Sequence, residues 1–286
     1  MDAETFEEIK DILSSGRIIT DKGIDFERFE SFLLAISNDS SSFMNDIHRD
    51  ISEFLVTLLH DDPHMMDTWT RIPDNMFWHY PYESLTLPDN IVEIGNQAFM
   101  NSSNLKTIVF PKALKKIGKA AFAWCTKLES IDLSNTVLVT LGEEVFHHCP
   151  SVKTLLLPDT LTNMPFLAFG YLAIEEVTIP KSVKVLNGSC FWDCKQLKRV
   201  KLNEGLETIG QFAFDDTKIK RLTLPSTLDE HTLYMIAAID DFYVEHLSIL
   251  YVKTKSQYKY LYRNVKWLPG DDGPRIVLLR NADIQK

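Results

Sequence analysis

Long apolar runs are missing from this chain of 286 residues, and runs such as Phe54 to Leu59 fall far short of the roughly 20 residues that a membrane-spanning helix needs. No segment is expected to cross a bilayer. The opening residues, MDAETFEEIKDILSSG, are acidic and amphipathic, so they lack the positive and apolar regions of a secretory signal. The expectation is a protein kept inside a cell, cytoplasmic or carried in a virion. Cysteine is scarce, limited to Cys125, Cys149, Cys190 and Cys194, and without a secretion signal these read as reduced thiols rather than a disulfide framework. Glycine is scarce too, at 11 residues, and the stretch Gly205 to Gly210 has no Lys-Ser/Thr pair after it, so no phosphate-cradling loop is expected. An excess of positive charge is also absent. The net charge is −10, which argues against nucleic acid as a partner.

What is present is enough apolar sequence for a substantial core, 45% of residues, and a lopsided distribution of charge. Residues 1–80 hold 17 of the 40 Asp and Glu but only 6 of the 30 Lys and Arg, a net −11, which leaves +1 on the rest of the chain. Such asymmetry predicts two functional units.

A short motif, apolar-x-apolar-Pro, returns along the middle of the chain. It ends at Pro88, Pro111, Ser134, Pro158, Pro180, Asn203 and Pro225, with spacings of 23, 23, 24, 22, 23 and 22. A second landmark keeps step with it: Phe99, Phe122, Phe146, Phe169, Phe191 and Phe214 follow each of the first six. Four residues before the Phe stands Gly95, Gly118, Gly142 or Gly210, replaced by Pro165 and Asn187 in two copies. One short apolar strand per ~20–29 residues is the signature of a leucine-rich solenoid. Within each strand the alternation predicts that pairs such as Ile108/Phe110 and Val200/Leu202 point inward and their neighbours outward. Proline then ends the ladder, glycine suits close backbone approach, and the Phe fills the space between strand and return segment.

The unit seen almost whole in Leu105 to Ile131, LKTIVFPKALKKIGKAAFAWCTKLESI, resembles the BspA-type leucine-rich repeat. The resemblance covers about residues 84–224 and extends to Leu250–Tyr260, which is similar to the strand and helix that often close such arrays. It implies an α/β repeat fold, and a role in adhesion or protein binding rather than catalysis.

Residues 1–80 read as an acidic helical domain: Phe6, Ile9 and Leu13, then Phe26, Phe29, Leu33 and Ile36, then Ile47, Ile51, Phe54, Leu55 and Leu58 fit three helix faces. The aromatic stretch from Trp69 to Tyr82 is expected to cover the edge of the first coil, since terminal coils need a cap. Residues 81–228 form the solenoid. Residues 229–286 read as a C-terminal cap and tail, with a helix over 229–238, a strand over 248–252, a helix over 256–263 and a strand over 276–279.

No constellation for catalysis or for a cofactor is apparent, so no enzyme, cofactor or metal site is expected. Cys125, Cys149 and Cys194 each follow a repeat Phe by three residues and read as small core residues. His147 and His148 beside Cys149 lack a second ligand pair of suitable spacing. His60, Asp61, Asp62, His64 and Asp67 are the densest polar group outside the repeats and read as a helix end. The outward strand positions carry more information. Stacking aligns Ser84, Thr107, Ser130, Thr154, Glu176, Arg199 and Arg221 in one row, which turns from hydroxyl-rich to basic. Glu176, Lys198, Arg199, Lys201, Lys220 and Arg221 are the candidate binding residues, on the concave sheet. They point to a protein partner with an acidic surface, and a homo-oligomer is one form this could take; no membrane partner is expected. The reading is a non-enzymatic protein-binding module whose helical N-terminal domain docks or oligomerises. A structural component of a virion or surface layer is the alternative.

Overall fold

The computed structural model describes residues 69–237, 247–264 and 275–279, with short stretches at 11–13, 18–20, 23–24, 28–29, 31, 50–51 and 53–57. Strands of three residues recur at the expected places: Ser84–Thr86, Thr107–Val109, Ser130–Asp132, Thr154–Leu156, Glu176–Thr178, Arg199–Lys201 and Arg221–Thr223. Successive strands pair in parallel, with Leu85 opposite Ile108 and Val177 opposite Val200. Where a strand pair ends, the Glu129 N–H to Lys106 carbonyl bond of 3.0 Å carries the ladder on. Alternation holds as read: Ile131 and Leu133 are buried while Ser130 and Asp132 are exposed.

A second row of two-residue strands runs up the return side, in two blocks. Arg71–Ile72, Glu93–Ile94, Lys116–Ile117 and Thr140–Leu141 form one; Asn163–Met164, Val185–Leu186 and Thr208–Ile209 form the other. The break has a chemical cause. In each unbroken step the residue after the strand donates its N–H to the coil before, as Gly118 does to Ile94 at 2.8 Å, Gly142 to Ile117 at 2.8 Å and Asn187 to Met164 at 2.9 Å. Pro165 stands in that row and has no N–H to give. Coils come so close here that a Cβ on Gly118 would sit 2.6 Å from the Asn96 nitrogen, and on Gly142 would overlap the Gly118 carbonyl carbon.

A third row of hydrogen bonds runs through the turns that carry the Phe side chains. The N–H groups of Gln97, Phe99 and Asn101 donate to Lys119, Ala121 and Ala123 of the following coil at 2.8, 2.8 and 2.9 Å. Gln97 and Asn101 have left-handed backbones, with φ of 54° and 60°. The same pair of positions is left-handed in every described coil: Ala120 and Trp124, Glu144 and His148, Leu167 and Tyr171, Ser189 and Asp193, Phe212 and Asp216. The alternation lets three N–H groups per turn reach the neighbouring coil. It does so although a residue with a Cβ pays roughly 1–2 kcal/mol in that conformation.

The core lies between these rows. Phe77, Phe99, Phe122, Phe146, Phe169, Phe191 and Phe214 stack in one column, with centroid separations of 5.3, 5.1, 5.3, 6.2, 5.5 and 5.7 Å. The widest step, 6.2 Å, spans the Pro165 break. Phe77 and Ile72 continue the repeat series backwards: Arg71–Ile72 pairs with Glu93–Ile94 and Phe77 stacks on Phe99. The aromatic stretch thus covers the first coil by supplying the return half of a further one.

Beyond the last Phe, Asp229 caps the helix Glu230–Ala237, accepting from the Thr232 N–H at 2.6 Å. Ile249–Val252 and Arg275–Leu278 then extend the three-residue ladder in parallel, with the helix Lys255–Asn264 between them. Gln257 on that helix is buried, and its amide donates to the Pro225 carbonyl at 2.6 Å. In the N-terminal part, Leu13, Phe29, Ile51, Phe54 and Leu55 are buried; Phe6, Ile9, Phe26, Leu33, Ile36, Ile47 and Leu58, on which the three-helix reading also rests, lie outside the described residues.

Candidate functional site

The outward residues of the three-residue ladder form columns one coil apart, at a strand spacing of about 4.8 Å. The first column reads Ser84, Thr107, Ser130, Thr154, Glu176, Arg199 and Arg221, all exposed. A parallel column just before the strands reads Glu83, Lys106, Glu129, Lys153, Glu175, Lys198 and Lys220. Signs alternate in the latter as far as Lys198, and two pairs of neighbouring coils join through it: Lys106 with Glu83 at 2.7 Å and Lys198 with Glu175 at 3.3 Å. Arg199 donates from Nε and Nη2 to Glu176 Oε2 at 2.9 and 2.8 Å, which the register of Glu176 opposite Arg199 allows.

These pairs change the meaning of the basic cluster. The sequence suggests like charges in want of an outside counter-charge; for Lys198 and Arg199 the counter-charge is one coil away in the same chain. Glu175 is the residue that sequence reasoning missed, and the 23-residue spacing applied to charged positions would have found it. Lys201, Lys220 and Arg221 differ. All three are exposed, and no acid among the described residues pairs with them. In the column of Lys220 the preceding residue is Lys198 and the following one is Ser248; Arg221 stands between Arg199 and Ile249, with exposed Arg275 one step further. The alternation that neutralises the earlier coils stops here.

Towards the other end of the same face the outward positions of the strands themselves carry a single charge, Asp132, among hydroxyl and apolar side chains. Thr86, Val109, Thr154 and Leu156 lie on it, Val109 57% and Leu156 45% exposed. A pocket of about 410 Å³ opens at its edge, lined by Lys106, Lys127, Glu129, Pro150, Ser151 and Lys153. The turn row carries a run of rings of which sequence reasoning singled out only His148: Trp124 lies 3.8 Å from His148, His148 4.9 Å from Tyr171, and Tyr171 5.2 Å from Trp192, centroid to centroid.

The groups that might do chemistry are shut away. Cys125, Cys149 and Cys194 are buried, and their thiols donate to the carbonyls of Phe99, Phe122 and Phe169 at 3.4, 3.2 and 3.2 Å. Burial pushes the Cys194 thiol up to about 12 and those of Cys125 and Cys190 well above their ordinary value. A thiol held protonated is neither a nucleophile nor a metal ligand. Burial also lowers the His147 imidazole, so it is neutral near neutral pH. Among the described residues no three His, Cys, Asp or Glu side chains come together as a metal site would require, and no helix is long and apolar enough to cross a membrane. His60, Asp61, Asp62, His64 and Asp67 lie outside the described residues.

The model of the BspA type leucine rich repeat region matches the chain in six copies, over residues 70–198 and 135–238. No curated protein matches. Among solved structures, the chain is similar to a leucine-rich repeat protein from Bacteroides ovatus, at 21% identity and a TM-score of 0.46, over 68% of this chain and 50% of that one. It is similar to another from Eubacterium ventriosum, at 23% identity and a TM-score of 0.47, over 51% and 40%. A third is a leucine rich cell surface protein from Faecalibacterium prausnitzii, at 21% identity and a TM-score of 0.40, over 64% and 59%. The chain thus spans half or less of the length of the first two proteins.

Proposed function

We propose that this chain, which belongs to the BspA-type leucine-rich repeat family, is a non-enzymatic protein-binding module that presents the outer face of its three-residue ladder to a partner. A family built from such repeats suggests a scaffold for protein binding in general. The observation that carries the finer reading is the end of charge alternation at Lys201, Lys220 and Arg221, three exposed cations with no acid paired to them among the described residues. Their chemistry fits a partner with an acidic surface. Glu176, Lys198 and Arg199 form the margin of this surface. Their ion pairs are exposed, and such pairs contribute about 0–1 kcal/mol, so a partner's acids can exchange into them at little cost. The acidic N-terminal unit is free in this reading to dock or to oligomerise.

The test is charge reversal where no internal pair is broken. Lys201→Glu, Lys220→Glu and Arg221→Glu together should leave the melting temperature nearly unchanged and abolish capture of an acidic protein from the native host, most clearly at low salt. Arg199 is left intact because Arg199→Glu would set a second carboxylate against Glu176. Identical capture by wild type and variant at both low and high salt would remove these residues from the binding surface.

A further inference from the structure

We infer that the basic end of the three-residue ladder docks the acidic N-terminal segment of a second copy of this chain, head to tail. The inference rests on the binding face proposed above and names its occupant. Two halves of one electrostatic match are written into the same sequence. Residues 1–80 carry a net −11 and the rest of the chain +1. Inside the solenoid, the acids of one coil are matched to bases of the next: Glu83 to Lys106, Glu93 to Lys116, Glu175 to Lys198 and Glu176 to Arg199. Glu207 pairs with Lys184 and Glu204 with Lys253, but Lys201, Lys220 and Arg221 on the outer face have no such match among the described residues, and Arg275 joins them across Ile249. So the surplus of acid precedes the first coil, and a cluster of unmatched cations stands on the outer face of the last ones; Lys112, Lys153 and Lys181, also unpaired among the described residues, lie singly on earlier coils.

The distance from the chain's entry into the repeats to the basic end favours a second copy. The chain enters the repeats at Arg71–Ile72, which pairs with the next coil, whereas Arg221 lies several coils on. At about 4.8 Å per coil the rows of Ser84 and Arg221 are roughly 29 Å apart. That exceeds by several-fold the Debye length of about 8 Å at physiological ionic strength, so charge at the point where the chain enters the repeats does not neutralise the cations on the last coils. Brought end to end, two copies would pair them directly. Such a contact uses different surfaces on the two partners, and it can repeat from copy to copy until a ring closes or a filament grows.

The test is sedimentation of the full-length chain at low and high salt. Wild type should sediment as species larger than its 32.9 kDa monomer at 50 mM salt and as monomer at 500 mM, since the match is electrostatic. The Lys201→Glu, Lys220→Glu, Arg221→Glu variant should be monomeric at both, with its melting temperature unchanged. A second variant, with Asp2→Asn, Glu4→Gln, Glu7→Gln, Glu8→Gln, Asp21→Asn and Asp25→Asn, should also be monomeric by itself. Mixed in equal amounts, the two variants should form a one-to-one dimer and nothing larger, because each retains the half that the other has lost. Wild type that is monomeric at both salts, assembly indifferent to salt, or a mixture that fails to pair would each overturn the inference. In any of those outcomes, loss of a captured acidic protein on reversing the three cations would still uphold the protein-binding reading. Capture that survives the reversal would defeat that reading as well.

Discussion

At the scale of single residues, each coil depends on a few side chains that have no substitute. Phe146 is fully buried and sits between rings 5.3 and 6.2 Å away. Phe146→Ala should destabilise the chain by roughly 3–5 kcal/mol, the cost of a cavity left by a large aromatic, as read from denaturant melts; a loss below about 1 kcal/mol would contradict the stacked column. The cysteines set a different test. Cys194 holds its proton up to about 12 because it is buried, against an ordinary 9.0. Above pH 9 the unfolded thiol ionises and the native one does not, so the native state binds more protons and stability falls as pH rises. For this thiol the slope is about 1.4 kcal/mol per pH unit until its folded pKa is reached. Cys194→Ala should therefore flatten the alkaline arm of the stability curve between pH 9 and 10; an unaltered slope would mean that the thiol reaches solvent.

The pattern of these residues was legible in the sequence because the physics acts at a fixed spacing. Phe, Gly and the strand pairs recur every 22–24 residues, and each marks a place where coils meet. Phe77 was legible on the same rule, 22 residues before Phe99, but its coil lacks a recognisable strand motif, so the stretch read as a cover. Glu175 escaped because charged surface positions draw no attention until their partners one coil away are known.

At the scale of elements, the row of three-residue strands was legible; the two-residue strands of the return side, where the sequence suggests only close backbone approach, and the turn row were not. Left-handed turns are ordinarily announced by Gly or Asn, whereas here Trp124, Leu167, Tyr171 and Phe212 occupy them. The return for that strain is a row of N–H groups aimed at the next coil, a gain in the tertiary structure that local propensity cannot register. Gln97 tests the point, since it is exposed with φ of 54°. Gln97→Gly should be neutral or stabilising by up to about 1 kcal/mol, against the usual loss on placing glycine in an ordered segment; clear destabilisation in thermal melts would show that the conformation is not strained. The break between return blocks was legible only in part. Pro165 stood out as a departure from the Gly position, but its effect, a missing donor at one rung, depends on knowing that the rung exists. At the C-terminal end the helices and strands fall within one residue of the sequence-based spans, because Asp229, Thr254 and the apolar run Ile249–Val252 give local signals.

At the scale of the whole molecule, the proposed binding surface rests on rigidity and charge together. Three rows of hydrogen bonds and a column of seven stacked rings fix the outward side chains at strand spacing. On this frame a change of a few residues per coil moves the face from hydroxyl-rich to cationic without disturbing the core. Inside the core, burial holds Cys125, Cys190 and Cys194 protonated. The most direct measurement is lysine labelling of the full-length chain with an amine-reactive reagent, alone and with a captured partner or in its own assemblies. The account predicts that Lys201 and Lys220 are modified readily in the free chain and protected in the complex, while Lys112 and Lys181, exposed just after Pro111 and Pro180 on earlier coils, are modified equally in both. Protection confined to Lys112 or Lys181, with Lys201 and Lys220 labelled as before, would contradict the account and move the binding surface off the end of the ladder.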